Sequence, residues 1–310
     1  MKSKKNAIII GAAGQDGILL TDLLKKMNYE VIPVFRDNLN FLNKNDLNNF
    51  LLEKDPNEIY YLASENPSSQ DTEELFSKSL NTHLIYMVNL FETILLINKS
   101  IKIFCASTSH IFSGNDSINQ TEDTNCEPDT IYGVTKLFSF TTCKYFREKY
   151  GLFISSGILY NHDSIYRKEN FVSKKITKSI ARIVKKELTF IELGDIDNKI
   201  DWGYAPDFVR AMHAILQLDT ASDFIISTGE KHTVREFLKI AFAHVGLNYE
   251  NHIKINQSII KKKHHNRCGD NSKLKLKTNW APTKSFQQMV QHLVDEELIL
   301  NKYNQNETSN

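Results

Sequence analysis

Ala7-Ile-Ile-Ile-Gly-Ala-Ala-Gly-Gln-Asp-Gly17 runs from a short apolar segment directly into a cluster of three glycines. An uninterrupted apolar run of this length is typical of a parallel strand that is covered on both faces. Apolar residues then recur at helical spacing as far as Met27. We therefore expect a strand, a tight turn and a helix, the local arrangement that places a dinucleotide diphosphate at a helix N-terminus.

The three glycines have separate roles in this prediction. Gly11 and Gly14 allow the backbone to turn tightly and to approach a pyrophosphate, and Gly17 lets the helix pack against the strand. Gln15 and Asp16 lie in the same turn and are predicted to contact the cofactor. A tight turn without any ligand would explain the glycines equally well, but the preceding strand and the following helix favour dinucleotide binding.

The alternation of strand and helix continues along the first half of the chain. Strands are predicted at 30–35, 58–62, 101–104 and 152–158, and helices at about 46–52, at about 80–97 and from 132 onward. This pattern predicts an α/β fold with a doubly wound parallel sheet, a Rossmann arrangement. Ligands of such sheets bind beyond the carboxyl ends of the strands, so we expect the chemistry just after residues 10, 35, 62, 107 and 159.

From about residue 161 the pattern loosens, and polar loops interrupt shorter elements. Amphipathic helices are predicted at 171–186, 234–245 and 285–300. We predict a dinucleotide-binding domain at 1–160 and a smaller substrate-binding lobe at 161–300 that partly returns to the first domain. A polar and frayed tail is predicted at 301–310.

Composition gives no sign of a nucleic-acid or membrane protein. Of the 310 residues, 41% are hydrophobic and 24% are charged, and the net charge of +1 exerts no general attraction towards anionic partners. The basic run Lys261–Arg267 has no aromatic residues within it, so we interpret it as a solvated loop or as diphosphate contacts. The first apolar run is too short for a membrane span. We expect a cytoplasmic protein without nucleic-acid or membrane partners.

Neither the cysteines nor the histidines show the spacing of a metal site. The four cysteines have no paired spacing, so neither a zinc site nor a disulfide framework is predicted, and Cys105 in its apolar run is expected to be buried. His264 and His265 are adjacent, and neither has a helical partner four residues away. We interpret His162 as structural.

Tyr132-Gly-Val-Thr-Lys136 places a phenol and an ammonium one helical turn apart on the same helix face. A nearby cation favours the phenolate and lowers the pKa of the phenol towards neutral pH. A phenolate beside a nicotinamide can take the proton of a substrate hydroxyl while its hydride leaves. Thr108, after the fourth predicted strand, is placed to bond the same hydroxyl, although a threonine at a strand end is also a common structural feature.

The end of the second predicted strand gives conflicting signals about the cofactor. Arg36 can accommodate a 2′-phosphate, whereas the adjacent Asp37 can bind the hydroxyls of an unphosphorylated ribose. NAD and NADP therefore both stay open. Asn40 nearby, with Leu62 and Ala63 at the end of the third predicted strand, completes the predicted cofactor site.

The chain resembles the extended short-chain dehydrogenases, and within them the GDP-mannose 4,6-dehydratase family. The resemblance extends from the glycine turn to Trp280, and its most specific stretches are Gly157–Asp163, Glu169–Ile176, Asp201–Ala205 and Thr228–Glu236. It implies that Thr108, Tyr132 and Lys136 carry out hydride transfer at C4 of a sugar, and that Lys136 also holds the nicotinamide ribose. It further implies that Asn161, Val172 and Lys175 hold the nucleotide, and that two long helices form a homodimer or a higher oligomer.

Three departures from the family pattern bear on function. His110 stands where the family has the glutamate that acts in loss of the C5 proton and of water. An imidazole exchanges protons at neutral pH but does not copy the charge of a carboxylate. Ile200 replaces a family arginine, so Lys199 or Arg267 would supply the phosphate contact. The segment after Arg36 is also shorter than the family insertion, which bears on NADP preference and on tetramer contacts.

These observations predict an NAD(P)-dependent enzyme that oxidises C4 of a nucleotide-activated sugar, with a GDP-linked hexose or heptose as the expected substrate. Because His110 replaces the residue that elimination needs, simple oxidation is slightly favoured. The alternatives are a true 4,6-dehydratase, a reductase that works in the opposite direction on a 4-keto sugar, and an idle relative that binds cofactor and regulates a partner.

Overall fold

The computed structural model describes residues 4–36, 38–64, 74–112, 119–256, 258 and 266–308. The strands within these ranges are β1 (Asn6–Ile10), β2 (Glu30–Val34), β3 (Glu58–Tyr61), β4 (Lys102–Thr108), β5 (Ile154–Leu159), β6 (Asn161–Asp163), β7 (Ile191–Leu193), β8 (Lys199–Tyr204), β9 (Asp223–Ile226), β10 (Lys231–Thr233) and β11 (Ile253–Ile255). The helices are α1 (Gln15–Lys26), α2 (Lys44–Lys54), α3 (Glu74–Leu80), α4 (Tyr86–Ile97), α5 (Ile131–Tyr150), α6 (Val172–Val184), α7 (Ala205–Leu216), α8 (Val234–His244), α9 (Ser272–Thr278) and α10 (Phe286–Thr308).

The described strands of the first domain form a parallel sheet in the order β2-β1-β3-β4-β5-β9. One face packs on α1 and α7, and the opposite face packs on α2, α4 and α5. The chain winds from β1 to β2 in one direction and from β3 to β5 in the other, so the order reverses between β1 and β3. The predicted doubly wound parallel sheet is confirmed, and its switch point lies at the glycine turn.

Strand β2 forms one edge of this sheet in the described part of the chain, and it contains Pro33 opposite Ile9 of β1. A proline cannot donate to a strand on its far side, which makes an edge its natural position in a sheet. At the opposite edge is β9, which reaches the sheet only after the chain has built much of the second lobe.

The long helix predicted at 80–97 is interrupted by a π turn at Asn81–Ile85, between α3 and α4. Such wide turns are rare and occur often at functional sites. Among the described residues, the stretch Ser77–Ile97 is the one helix with the length and apolar composition to cross a membrane. Met87, Leu90 and Ile94 of this stretch are buried in the sheet core, and core helices pass the same test.

The second lobe has its own core, formed where α6, α8 and α10 pack against β7 and β8. Small sheets in the orders β10-β8-β6 and β11-β7 support these helices. The polar tail differs from its prediction, because α10 continues to Thr308. Its sequence from Phe286 to Thr308 contains neither glycine nor proline, so nothing in the chain ends the helix where the apolar pattern stops.

Candidate active site

The glycine turn packs tightly against the end of β3. Gly11 has a φ of +94°, and a Cβ atom on it would lie 2.7 Å from the main-chain nitrogen of Ala63. A Cβ atom on Gly17 would lie 2.4 Å from the main-chain oxygen of Gly11. The main-chain nitrogen of Leu62 donates to Ile10, which brings the predicted residues Leu62 and Ala63 beside the turn. Glycine is therefore required at 11 and 17 for packing alone.

Gly14 has a different environment, and it fits the predicted cofactor. A Cβ atom there would have only the oxygen of Gly11, at 3.4 Å, within van der Waals range. Gly14 is also the N-cap of α1 and supplies no side-chain hydrogen bond to the helix. The first N–H groups of a helix have no partners within it, so α1 presents free donors and a positive dipole end to an open space. That arrangement suits a diphosphate.

The side chains of Gln15 and Asp16 connect the glycine turn to the second lobe. The Gln15 amide donates to the carbonyl of His162, and its oxygen accepts from the main chain and hydroxyl of Ser164. Both carboxylate oxygens of Asp16 lie 3.0 Å from Nε2 of His162. The two side chains are thus engaged with protein, and the main-chain N–H groups at these positions are left for a cofactor.

Burial disfavours the charged forms of Asp16 and His162, but each charge stabilises the other. Burial would raise the pKa of Asp16, yet the neighbouring His162 outweighs it and lowers that pKa below its ordinary value. Burial would likewise lower the pKa of His162, yet Asp16 raises it. His162 also contacts the carbonyl of Tyr160 through Nδ1 and stacks on Phe208 at 4.4 Å between ring centroids. Its structural role agrees with the prediction for this residue.

Thr108 and Tyr132 meet at the carboxyl end of β4. Thr108 pairs with Leu159 in the last register position of β4 and β5, and its side chain hydrogen-bonds to the phenol of Tyr132. Tyr132 lies in the first turn of α5, which Thr130 caps by accepting from the main chain of Gly133. A Cβ atom on Gly133 would lie 2.4 Å from the carbonyl oxygen of His110, so glycine lets this turn approach the strand end.

Lys136 does not have the predicted effect on Tyr132 in this structure. Its ammonium donates to the carbonyl of Ala106 at 2.9 Å, and burial lowers the pKa of Lys136 to about 8. The pKa of Tyr132 is raised, because burial disfavours the phenolate more than the hydrogen bonds from Ser64 and Thr108 favour it. The predicted lowering by Lys136 is therefore corrected: hydroxyl groups, rather than the ammonium, contact the phenol.

Ser64 and His83 join the site although neither was predicted. The hydroxyl of Ser64, just after β3, hydrogen-bonds to Tyr132 and lies 2.9 Å from Nε2 of His83. His83 lies in the π turn and is 1% exposed. Burial and the charge of Lys136 lower its pKa to about 2, so the ring is neutral.

Two imidazole rings flank the phenol of Tyr132. The rings of His83 and His110 each lie 5.7 Å from the tyrosine ring, edge to face. His110 follows Thr108 in a short 3-10 turn, and its main-chain nitrogen donates to the Thr108 hydroxyl at 3.4 Å. The residue that departs from the family pattern is therefore beside the phenol of Tyr132.

Arg167 is a third residue that sequence reasoning missed. Its guanidinium lies over the ring of Phe171 at 3.6 Å and pairs with the buried Asp163 at 2.9 Å. The same charge lowers the pKa of Tyr132 and of Asp16, although larger effects precede it in both cases. Arg167 thus supplies positive potential both at Asp16, in the helix that follows the glycine turn, and at the phenol of Tyr132.

The predicted nucleotide-binding residues are spread over the second lobe. Asn161 begins β6 and is exposed, and Val172 begins α6 and is partly buried. The ammonium of Lys175 is exposed and donates to the carbonyl of Glu192 at 2.6 Å. Lys199 is exposed at the start of β8, where its main-chain nitrogen donates to Asn266.

Arg267 differs from its predicted role as a phosphate contact. Its side chain is buried, with Nε donating to the carbonyl of Phe112 at 3.1 Å and a terminal nitrogen 3.7 Å from Asp129. These contacts connect the irregular segment that contains Arg267 to the segments before α5. Residues 261–265 of the basic run lie outside the described residues.

The predicted specificity residues lie at the sheet edge. Arg36 is exposed just beyond β2, and the Asn40 side chain accepts from the main chain of Leu42. Asp37 lies outside the described residues.

The features that define an extended short-chain dehydrogenase/reductase are present: a doubly wound sheet, a glycine turn at its switch point, a threonine at the end of β4, and a tyrosine and a lysine on α5. A family model described as GDP-mannose 4,6 dehydratase matches residues 38–293. The chain belongs to that family, and it is accordingly an NAD(P)-dependent nucleotide-sugar enzyme.

Named relatives agree with this assignment. GDP-mannose 4,6 dehydratase of Cricetulus griseus is 33% identical over 352 residues, covering 98% of this chain and 94% of the relative. That of Homo sapiens has the same identity and coverage. The aligned length exceeds the 310 residues of this chain, so the chain is shorter in places.

Solved structures show the same fold at lower identity. RMD from Pseudomonas aeruginosa complexed with NADPH has a TM-score of 0.84 at 18% identity, covering 96% of this chain and 98% of that one. dTDP-glucose 4,6-dehydratase from Bacillus anthracis in complex with NAD has a TM-score of 0.82 at 18% identity, with the same coverage.

Proposed function

We propose that this chain oxidises C4 of a GDP-linked hexose or heptose to a 4-keto sugar. The observation that carries the proposal is the contact of Thr108 with the phenol of Tyr132, one helical turn before the buried Lys136. In this scheme the C4 hydroxyl proton passes to Tyr132. A bound nicotinamide cofactor supplies the hydride acceptor. Thr108 orients the hydroxyl, and the helix α1 N-terminus with Arg167 faces the phosphates.

The identity of residue 110 supports oxidation without loss of water. Elimination needs a group that removes the C5 proton and delivers it to the leaving hydroxyl at C6. His110 stands beside Tyr132 where the family pattern has a carboxylate. A neutral imidazole does not provide the negative charge that would favour both steps.

The second candidate is a true 4,6-dehydratase. The edge-to-face contact of His110 with Tyr132 favours it, because it puts beside the phenol an imidazole, a group that exchanges protons at neutral pH. The names of the full-length relatives point the same way.

Mass spectrometry of the product separates the two candidates. The purified protein is incubated with GDP-mannose, and in parallel with a GDP-heptose, together with NAD or NADP. A product lighter by two hydrogens supports oxidation, and one lighter by a water molecule supports dehydration. Tyr132→Phe is the control that should form neither product. His110→Glu restores the family carboxylate and should increase the dehydrated fraction.

In this proposal the choice between NAD and NADP depends on Arg36, which is exposed just beyond β2, because an arginine at the end of the second strand can accommodate a 2′-phosphate. The solved neighbours include complexes with NADPH and with NAD. Denaturing the purified protein and identifying the released dinucleotide tests this directly.

A homodimer through α5 belongs to the same proposal. Ile131, Phe138 and Tyr145 are spaced seven residues apart and are 39%, 43% and 53% exposed, so they form one apolar stripe. Association through this stripe would remove it from water. Phe138→Glu should give a monomer in sedimentation experiments. Leu276→Glu, at an 80% exposed position on α9, is the matched control.

A further inference from the structure

His83 is buried with a hydrogen-bond partner at each ring nitrogen. Nε2 lies 2.9 Å from the Ser64 hydroxyl, and Nδ1 lies 2.9 Å from the Thr135 hydroxyl. The hydroxyl of Ser139 donates to the carbonyl of His83, which holds the π turn in place. A neutral imidazole has one donor and one acceptor nitrogen, so the two hydroxyls must have opposite roles.

The position of Thr135 decides which nitrogen carries the proton. Its hydroxyl lies 2.9 Å from Nδ1 and 3.1 Å from the carbonyl of Tyr132. As a helical residue, Tyr132 already has a main-chain donor for that carbonyl four residues further on. Donation from Thr135 to Nδ1 is therefore the better use of its hydrogen, and it leaves the proton of the imidazole on Nε2.

With the proton on Nε2, the direction of the next bond is fixed. Nε2–H of His83 donates to the oxygen of Ser64, and the hydrogen of Ser64 is directed to its other partner among the described residues, the phenol oxygen of Tyr132. A hydroxyl that donates to a phenolate favours the charged form. The ammonium of Lys136 donates to the carbonyl of Ala106. The Ser64 hydroxyl therefore contributes to stabilising the phenolate, the effect that the sequence analysis predicted for the lysine.

We propose that Ser64 is a positioning residue for the catalytic phenol, and that His83 in its Nε2–H form holds the Ser64 hydroxyl in the direction that stabilises the Tyr132 phenolate. The proposal rests on the oxidation chemistry proposed above only for its kinetic consequence. The hydrogen-bond direction is a property of the protein without substrate.

Several charged or titratable groups surround the rings of His83 and Tyr132. Lys136 of α5 faces His83, and its charge opposes protonation of that ring. Around Tyr132, the ring of His110 in the 3-10 turn makes a direct contact. Arg167, in the loop after β6, and Asp16 of α1 act on it through their charges.

The direct test is the ¹⁵N spectrum of the histidine rings, with the His83 signals assigned by their absence in His83→Phe. We expect a neutral ring protonated at Nε2 that does not titrate between about pH 5 and 9, since a group with a pKa of about 2 stays neutral there. Thr135→Val should move the proton between the nitrogens, and Thr93→Val, which removes a buried threonine bond on α4, should not. A wild-type ring protonated at Nδ1, or one that titrates near pH 6.5, overturns the proposal.

The second test is the pH dependence of kcat/KM with the substrate that proves active. We expect Ser64→Ala to move the rising limb about one pH unit higher and to reduce the rate at pH 7 about tenfold, with KM little changed. In His83→Phe, which keeps a ring against Tyr132, most of the same shift should appear, and the double variant should show little more. An unshifted limb in Ser64→Ala contradicts the proposal. If no nucleotide sugar is oxidised, the proposed function fails, and the spectrum alone decides this inference.

Discussion

Nε2 of His162 lies 3.0 Å from both carboxylate oxygens of Asp16, so one buried ion pair joins the glycine-turn helix to the first strand of the second lobe. The raised pKa of His162 stabilises the fold fully below about pH 6.5, and that stability is lost as pH rises through the folded pKa. The lowered pKa of Asp16 stabilises above about pH 3.8, and that contribution is lost as pH falls through its folded pKa.

Asp16→Asn should therefore reduce the free energy of unfolding by about 2 kcal/mol near pH 6, because a buried histidine loses its countercharge. The difference from the wild-type protein should shrink as pH rises above about 6.5 and His162, whose pKa is raised, loses its proton. Denaturant unfolding across this range measures it. Asp22→Asn, at an exposed pair with Lys26, is the matched control and should change little. A difference that does not vary with pH would contradict the ion pair.

Lys136→Met should stabilise the protein while abolishing hydride transfer. Burial lowers the pKa of Lys136 to about 8, which means that the charged form is disfavoured in the fold. The cost at neutral pH is about 3 kcal/mol at most, and methionine fills a similar volume without charge. Since the unfolded state binds the proton more tightly, the wild-type protein should gain stability between about pH 8 and 10.5, and the variant should not. Thermal unfolding at several pH values checks both effects; a destabilised variant would show that the bond to Ala106 outweighs the burial.

Gly14→Ala and Gly17→Ala should separate cofactor binding from folding. At position 14 a methyl group has room in the protein, so stability should change by less than about 1 kcal/mol. The methyl group would stand in the space over the α1 N-terminus, and the affinity for NAD or NADP should fall at least about tenfold. At position 17 the added atom would lie 2.4 Å from a main-chain oxygen, so the fold itself should lose about 2 kcal/mol or more. Calorimetric titration and thermal unfolding measure the two effects. Normal cofactor binding by Gly14→Ala would show that the diphosphate does not bind at this turn.

Arg36→Ala should reduce the affinity for NADP more than that for NAD. The guanidinium is exposed beyond β2, and its charge interacts with a 2′-phosphate that NAD lacks. The ratio of the two dissociation constants should change about tenfold, and Lys26→Ala, on an exposed part of α1, should leave it unchanged. An unaltered ratio in Arg36→Ala would place the 2′-position elsewhere.

Much of the first domain could be predicted from the sequence because its signals are local. Apolar runs mark the buried strands, and glycines at 11 and 17 are required by contacts of their own main chain. Tyr132 and Lys136 lie one helical turn apart on α5, so their spacing in the sequence is enough to place them near each other.

The parts that were missed depend on contacts between distant segments. Ser64 and His83 come from the loop after β3 and from a helix, and only the packing of both against α5 brings them to Tyr132. His83 stands in an apolar stretch that predicts a regular helix, and the π turn at this position has no sequence signal of its own. The hydrogen bond of Lys136 to Ala106 likewise depends on how deeply α5 packs against β4.

Pro33 in the edge strand β2 has a consequence for how this protein behaves at high concentration. An open rim of a sheet with an unbroken row of donors invites strands from other molecules to join it, which is a route to fibrils. The missing N–H at Pro33 leaves a gap in that row, and Glu30 at the start of the strand adds an exposed charge. The rim that lies next to the cofactor end of the sheet is thus a poor template for growth, even though the sheet ends there without a covering strand among the described residues.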